Sequence, residues 1–238
     1  MGELNPLLTS IRNVVSIPDL RRRILFMLAL LAVYRIGSFI PTPGVDSFAL
    51  QQFFAQQQGT IFGFLDVFSG GNLSRLSIFA LGIMPYITAS IILQLLTIVI
   101  PTLEKLQKEG ELGRRKITQY TRYGTVLLAT VQGYGVSVGL ESSTNVVIDP
   151  GLYFKITTVI TLVAGTIFLM WLGEQITQRG IGNGISLIIF SGIVAEIPRA
   201  LATTFELGRT GALSASTIFL IFVLLISTVA FIVFIERA

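Results

Sequence analysis

Leu76 to Ile100 is a run of 25 residues without a single charge. At about 1.5 Å per helical residue it is long enough to cross a hydrocarbon core of about 30 Å. Directly before it, across a Gly70-Gly71-Asn72 break, lie the nine residues Ile61 to Ser69. As a helix they would cover only about 14 Å and cannot span. Ile61, Phe62, Phe64, Leu65, Val67 and Phe68 surround one charge, Asp66, so this piece is too apolar to lie free in water. A short apolar element beside a full span is expected inside protein at membrane depth, as a re-entrant piece facing a cavity. The pair points to a channel or carrier with a movable internal element.

Hydrophobic residues make up 52% of the sequence and charged ones 13%, which predicts an all-α, polytopic transmembrane helix bundle. There is no cysteine and no histidine. Disulfides, Cys or His metal sites and His-based catalysis are therefore excluded within these residues. A metalloprotease H-E-x-x-H is absent. Asp66 stands alone in the membrane region, with Asp46 and Asp149 expected in outer loops, so a paired-aspartate site is not formed. No enzyme, metal or cofactor is expected. The net charge of +4 reports orientation rather than nucleic-acid binding. Arg21, Arg22 and Arg23 precede an apolar run as in a signal peptide, but no small-residue cleavage site follows, so the first helix is expected to be retained.

Residues 1–23 carry Leu4, Leu7, Leu8, Ile11 and Val15 at helical spacing, an amphipathic segment expected on the cytosolic membrane surface. Span 1 is expected over Ile24–Ile40, with Arg35 snorkelling near its far end and Pro41 and Pro43 stopping it. Residues 45–59 read as an outer loop. Asn72 or Ser74 is expected to cap span 2 at Leu76–Ile100, which Gly82 and Pro85 should loosen. Residues 101–122 read as a cytosolic loop with six Lys or Arg and three Glu. Lys105, Lys108, Arg114, Arg115 and Lys116 are its candidate docking residues. Span 3 follows over Tyr123–Leu140, rich in glycine for close helix approach. After an outer loop at 141–155 comes span 4, Ile156–Gly173. The glycines of 173–184 lack phosphate-loop spacing and read as a tight turn. Span 5 starts at Ile185 and is the least apolar. Residues 199–212 read as an outer loop and hinge, and span 6 covers Leu213–Ile235. The units expected are thus 1–23, a channel half at 24–198, the hinge, and 213–238. With an even number of spans both termini share a side. Arg12, Arg21, Arg22, Arg23, Lys105, Lys108, Arg114, Arg115, Lys116, Arg122, Arg179 and Arg237 fall there, 12 of the 17 basic residues, which makes it the cytosolic side.

Ile83 and Ile87 share a helix face at i,i+4, and so do Ile185 and Ile189. Ordinary helix packing accounts for both pairs. A branched, apolar constriction that seals around an irregular substrate accounts for them too. An ion-coupled small-solute carrier with a broken helix is the alternative, but it would want acids or unwound carbonyls at these midplane faces. Thr88, Ser90 and Gln94 on span 2 need polar partners or water.

Four blocks resemble the SecY family, the channel subunits of the bacterial protein-secretion translocon: RIGSFIPTPGV (35–45), FSGGNLSRLSIFALGIMPYITASIILQLL (68–96), EGELGRRKITQYTRYGT (109–125) and FLMWLGEQITQRGIGNGISLIIFSGIVA (168–195). The resemblance implies a bundle of the first six of ten spans, the N-terminal half of that fold plus span 6. It implies that Ile61 to about Gly71, with Asp66 and Gly70, form a plug closing the channel from outside. Ile83, Ile87, Ile185 and Ile189 match pore-ring positions. Span 2, with Thr88, Ile91 and Gln94, matches one side of the lateral gate. Residues 101–122 match a loop near the docking surface of the SecA motor. The implied partners are spans 7 to 10 of the same fold, SecE, SecG, SecA, the ribosome, signal peptides and nascent chains, and membrane lipids. The implied location is the bacterial plasma membrane. The opposing gate helices fall outside these residues, so alone they should not form a complete channel.

Overall fold

The computed structural model describes residues 17–56, 63, 66, 69–143 and 146–237. Residues 1–16 of the amphipathic segment expected over 1–23 and the plug residues Ile61, Phe62, Phe64, Leu65, Val67 and Phe68 lie outside the described residues. Eight helices are described: α1 Pro18–Gly37, α2 Ser47–Gln56, α3 Met84–Val99, α4 Pro101–Lys108, α5 Glu111–Glu141, α6 Leu152–Arg179, α7 Gly184–Arg209 and α8 Ala215–Arg237. Two compact units divide the chain at Ile193/Val194.

In the first unit, α1 starts earlier than expected. Pro18 opens it and Arg21–Arg23 lie on the helix itself. It ends at Gly37, ahead of Pro41, where the Ser38 hydroxyl donates to the Tyr34 carbonyl at 3.0 Å. The chain then runs extended and pairs on both edges. Thr42 N–H donates to the Leu76 carbonyl at 2.8 Å and Ile78 N–H to the Ile40 carbonyl at 3.0 Å. Asp46 N–H donates to the Val146 carbonyl and Ile148 N–H to the Gly44 carbonyl. Residues 40–46 thus tie the broken stretch to the connection before α6.

Three stretches read as loops are helical. Within 45–59, Ser47–Gln56 forms α2, whose first turn is capped by Asp46 Oδ1 accepting from Phe48 and Ala49 N–H. Residues 101–122 form α4 and the first turns of α5, with α4 bent 101° from α3. Ile100 is extended ahead of Pro101, whose ring disfavours a helical residue before it. Residues 199–209 continue α7 past Pro198.

Span 2 is shorter than expected. Residues 76–83 form turns, and the helix begins only at Met84 with Pro85 in its first turn. Leu76 and Gly82 both have positive φ. Asn72 and Ser74 therefore do not cap a helix. By length and composition, α6, α7 and α8 can each cross a membrane, and the bent pair α3–α4 makes a fourth. The charges along α1 keep it outside that criterion, and α5 falls short on hydropathy, because its uncharged stretch 123–140 carries glycines, Gln132 and two tyrosines.

α5 packs on α3 and α6, and α1 packs on α6. Glycines set the closest approaches: Gly133 of α5 faces Val159 and Leu162 of α6. One core cluster joins Leu50, Phe54, Leu76, Ala80, Leu140, Phe154 and Leu162. The other joins Tyr34, Phe79, Ile83, Leu169, Leu172, Ile176 and Ile188. In the second unit, the end of α7 and α8 form a hairpin in which Phe205 and Phe222 meet at 6.5 Å and Ser214 caps α8 through Thr217 N–H.

Candidate functional site

The four expected ring isoleucines come together. Ile83, the residue before α3, is buried, and Ile87, Ile185 and Ile189 pack against the same cluster. What brings α7 in is the Gly173–Gly184 crossing: a Cβ on Gly184 would stand 2.1 Å from the Gly173 carbonyl oxygen. Ile188, one residue before the expected Ile189, is the most buried of the α7 isoleucines at 2% exposure. Its i,i+3 spacing from Ile185 carried that signal.

Beside the isoleucines lies a cleft of about 370 Å³ with a floor of Ile87, Ile91 and Ile185. Its rim is polar: Ser90, Thr118, Arg122, Glu174, Thr177 and Asn183. Arg122 of α5 and Glu174 of α6 pair through two parallel bonds, 2.9 and 2.6 Å. That fork holds both groups in a fixed plane and fastens the two helices together. Sequence reading had placed Arg122 in a loop, so this pair was missed.

The expected gate residues lie along α3. Ile91 and Gln94 are exposed and Thr88 is half-buried. Ala89 faces α5, where it meets Gly124. The face with Ile91, Leu95 and Ile98 is exposed. Lys105, Lys108, Arg114, Arg115 and Lys116 are all exposed on α4 and α5. Lys108 pairs with Glu104, and Arg115 with Glu111, both one turn apart. Such exposed pairs stabilise by well under about 1 kcal/mol and leave the surface basic.

Of the expected plug, Asp66, Gly70 and Gly71 are described, and they form a tight corner. Asp66 Oδ1 accepts from Ser74 N–H at 2.7 Å and the Asp66 carbonyl from Gly71 N–H at 2.9 Å. Tyr34 Oη donates to the Ser69 carbonyl at 3.3 Å, and Arg35 donates to the Gly70 carbonyl at 3.2 Å. Arg35 thus does more than snorkel. Asn72, expected as a helix cap, is fully buried with its amide turned to Ser69 and Tyr34. Among the described residues no cluster of acidic groups could hold a metal ion.

The family model described as SecY matches residues 77–238. The chain belongs to the SecY family. The protein translocase subunit SecY of Escherichia coli K12 is 57% identical over 222 residues, which cover 92% of this chain and 50% of that protein. Those of Buchnera aphidicola and Rickettsia conorii are each 57% identical, over 62% and 52% of their own length. The chain therefore spans about half the length of most of the SecY proteins it matches. Two solved structures share the fold, one described as a protein conducting channel and one as Sec61 in the canine ribosome-channel complex from the endoplasmic reticulum. Each aligns over 79% of this chain and 38% of its own, with TM-score 0.51 and 19% identity. Membership of the SecY family makes this a multi-pass membrane protein, helical with no strand beyond isolated bridges among the described residues, and a solute carrier is not favoured.

Proposed function

We propose that these residues form one side of a protein-conducting channel that passes unfolded secretory chains across the bacterial plasma membrane and releases transmembrane segments sideways into lipid. The observation that carries the proposal is the meeting of Ile83, Ile87, Ile185 and Ile189 on one apolar cluster, beside the corner made by Asp66–Ser74. A ring of branched side chains offers a threading chain no polar hold and excludes water around it. The corner is the inner end of a plug. The exposed face of α3, with Thr88, Ile91 and Gln94, is one wall of the lateral gate, where an apolar signal sequence would lie. Spans 7 to 10 of the same fold would supply the opposite wall.

The role is conduction, and the energy comes from partners. SecA or the ribosome would dock on the basic surface of α4 and α5, and SecE and SecG would brace the bundle. The termini lie in the cytosol. The hinge expected at 199–212 would flex at the non-helical residues 210–214, since 199–209 belong to α7.

The test uses the full-length protein assembled with its partners. Single cysteines replace Ile83 and Ile189 in this otherwise cysteine-free region, with a third replacing Asp149 as an outer control. A stalled secretory precursor should crosslink to both isoleucine positions and not to the control. Crosslinking at neither, or equally at all three, would overturn the pore assignment.

A further inference from the structure

The Ser69 carbonyl is a node held by two buried side chains. Tyr34 Oη donates to it, Asn72 Nδ2 donates to it, and Asn72 Nδ2 also donates to Tyr34 Oη at 3.2 Å, which closes a triangle. Ser77 Oγ donates to Asn72 Oδ1 at 3.3 Å. One residue on, Gly70 rests on α7: a Cβ there would stand 2.7 Å from the Gly192 Cα, and Gly70 has φ +71°. The corner at 69–72 is thus held between α1 and α7.

Packing alone does not explain the chemistry chosen. The Tyr34 ring stacks on Phe79 with centroids 6.0 Å apart, a contact phenylalanine would make equally. Tyr34 is 3% exposed and Asn72 0%. Burying a hydroxyl and an amide costs free energy unless their bonds are made, so these two groups are spent on each other and on Ser69. With water excluded, the triangle has no competing partner when intact and strands polar groups when broken.

We propose that Tyr34 and Asn72 are a clamp, positioning residues that keep the Ser69–Asn72 corner docked on α1 and α7 and so set how tightly the resting channel is sealed. The proposal rests on the plug reading above. The clamp acts through the corner and does not touch the translocating chain, so its loss loosens the seal while leaving the ring intact.

The experiment uses the full-length protein with its partners in proteoliposomes, and chloride efflux without precursor is the readout. Tyr34→Phe keeps the ring and removes the hydroxyl. It should raise efflux about 5- to 30-fold, the factor that follows from losing one or two net hydrogen bonds. Asn72→Ala should do the same, and the double variant should leak no more than the leakier single, because both act on one node. Precursor translocation should persist in all three. Gly70→Ala is the control for the corner itself, since it forces residue 70 off Gly192 whatever Tyr34 and Asn72 do. If Gly70→Ala leaks while Tyr34→Phe and Asn72→Ala stay at background, the clamp is overturned and the plug stands. If Gly70→Ala also stays at background, the plug reading falls and the clamp with it. Leak that multiplies in the double variant would show two independent packing defects and overturn the shared node.

Discussion

At the scale of single residues, the sign of a substitution depends on what stands opposite. Gly165 sits within α6, where alanine would normally stabilise by about 1 kcal/mol. Here a Cβ would stand 1.8 Å from the Ile78 carbonyl oxygen, part of the turns that replace the first third of span 2. That backbone is tied to Ile40 and has no room to yield. Gly165→Ala should therefore destabilise by about 1–3 kcal/mol. Gly135 of α5 has nothing within 4 Å of its Cβ position, so Gly135→Ala should be neutral or stabilising. Thermal unfolding of the detergent-solubilised protein checks both, and equal midpoints for the two variants would refute the contrast. Composition gave no hint of this difference, because both glycines sit in apolar helical runs. The same limit hid Tyr34 and Asn72, 38 residues apart in sequence and joined only by the fold. Gly82 and Pro85 were legible as weak points of span 2. That the break extends back to Leu76 was not, since hydropathy carries no sign of the pairing with residues 40–42.

At the scale of elements, long apolar runs announced spans 4 and 6, and polar helices went unseen. α2, α4 and the first turns of α5 carry Gln, Lys, Arg and Glu, so a reading tuned to membrane-length apolar runs took them for loops. Only their short-range signals, Asp46 before α2 and Pro101 at the start of α4, marked them. The end of α7 was misread for the opposite reason. Residues 199–212 read as a loop, yet the helix passes through Pro198 to Arg209. Proline has no N–H to give the carbonyl four residues back, which here belongs to Val194, the first residue of the second compact unit. A weak turn and a unit boundary coincide. Pro198→Ala should restore that bond and slow amide exchange across 194–202, with the first unit unchanged. Mass-spectrometric hydrogen exchange reads this directly, and unchanged exchange in those residues would mean that neighbouring helices, rather than the missing bond, set their opening.

At the scale of the whole molecule, each unit carries apolar faces suited to lipid, and charges gather at the two ends of the first unit. α8 is exposed almost all round, with Phe219, Leu224, Ile226, Phe231 and Phe234 each more than half accessible, as suits a helix whose solvent is lipid or another apolar segment. The basic residues of α4 and the start of α5 sit at one end with Arg179. The extended connections that pair 40–46 with 76–78 and 146–148 carry Asp46 and Asp149. On the positive-inside rule we propose that the first end faces the cytosol and the second the outer face. Absence of native cysteine in this region makes the assignment easy to check. In intact cells, a cysteine at Lys105 should escape a membrane-impermeant maleimide and react only after lysis. On the proposed orientation a cysteine at Asp149 should react in both. Labelling of Lys105→Cys in intact cells with protection of Asp149→Cys would invert the molecule. The basic surface of α4 and α5 would then face away from any cytosolic motor, and the plug would lie on the side from which chains enter.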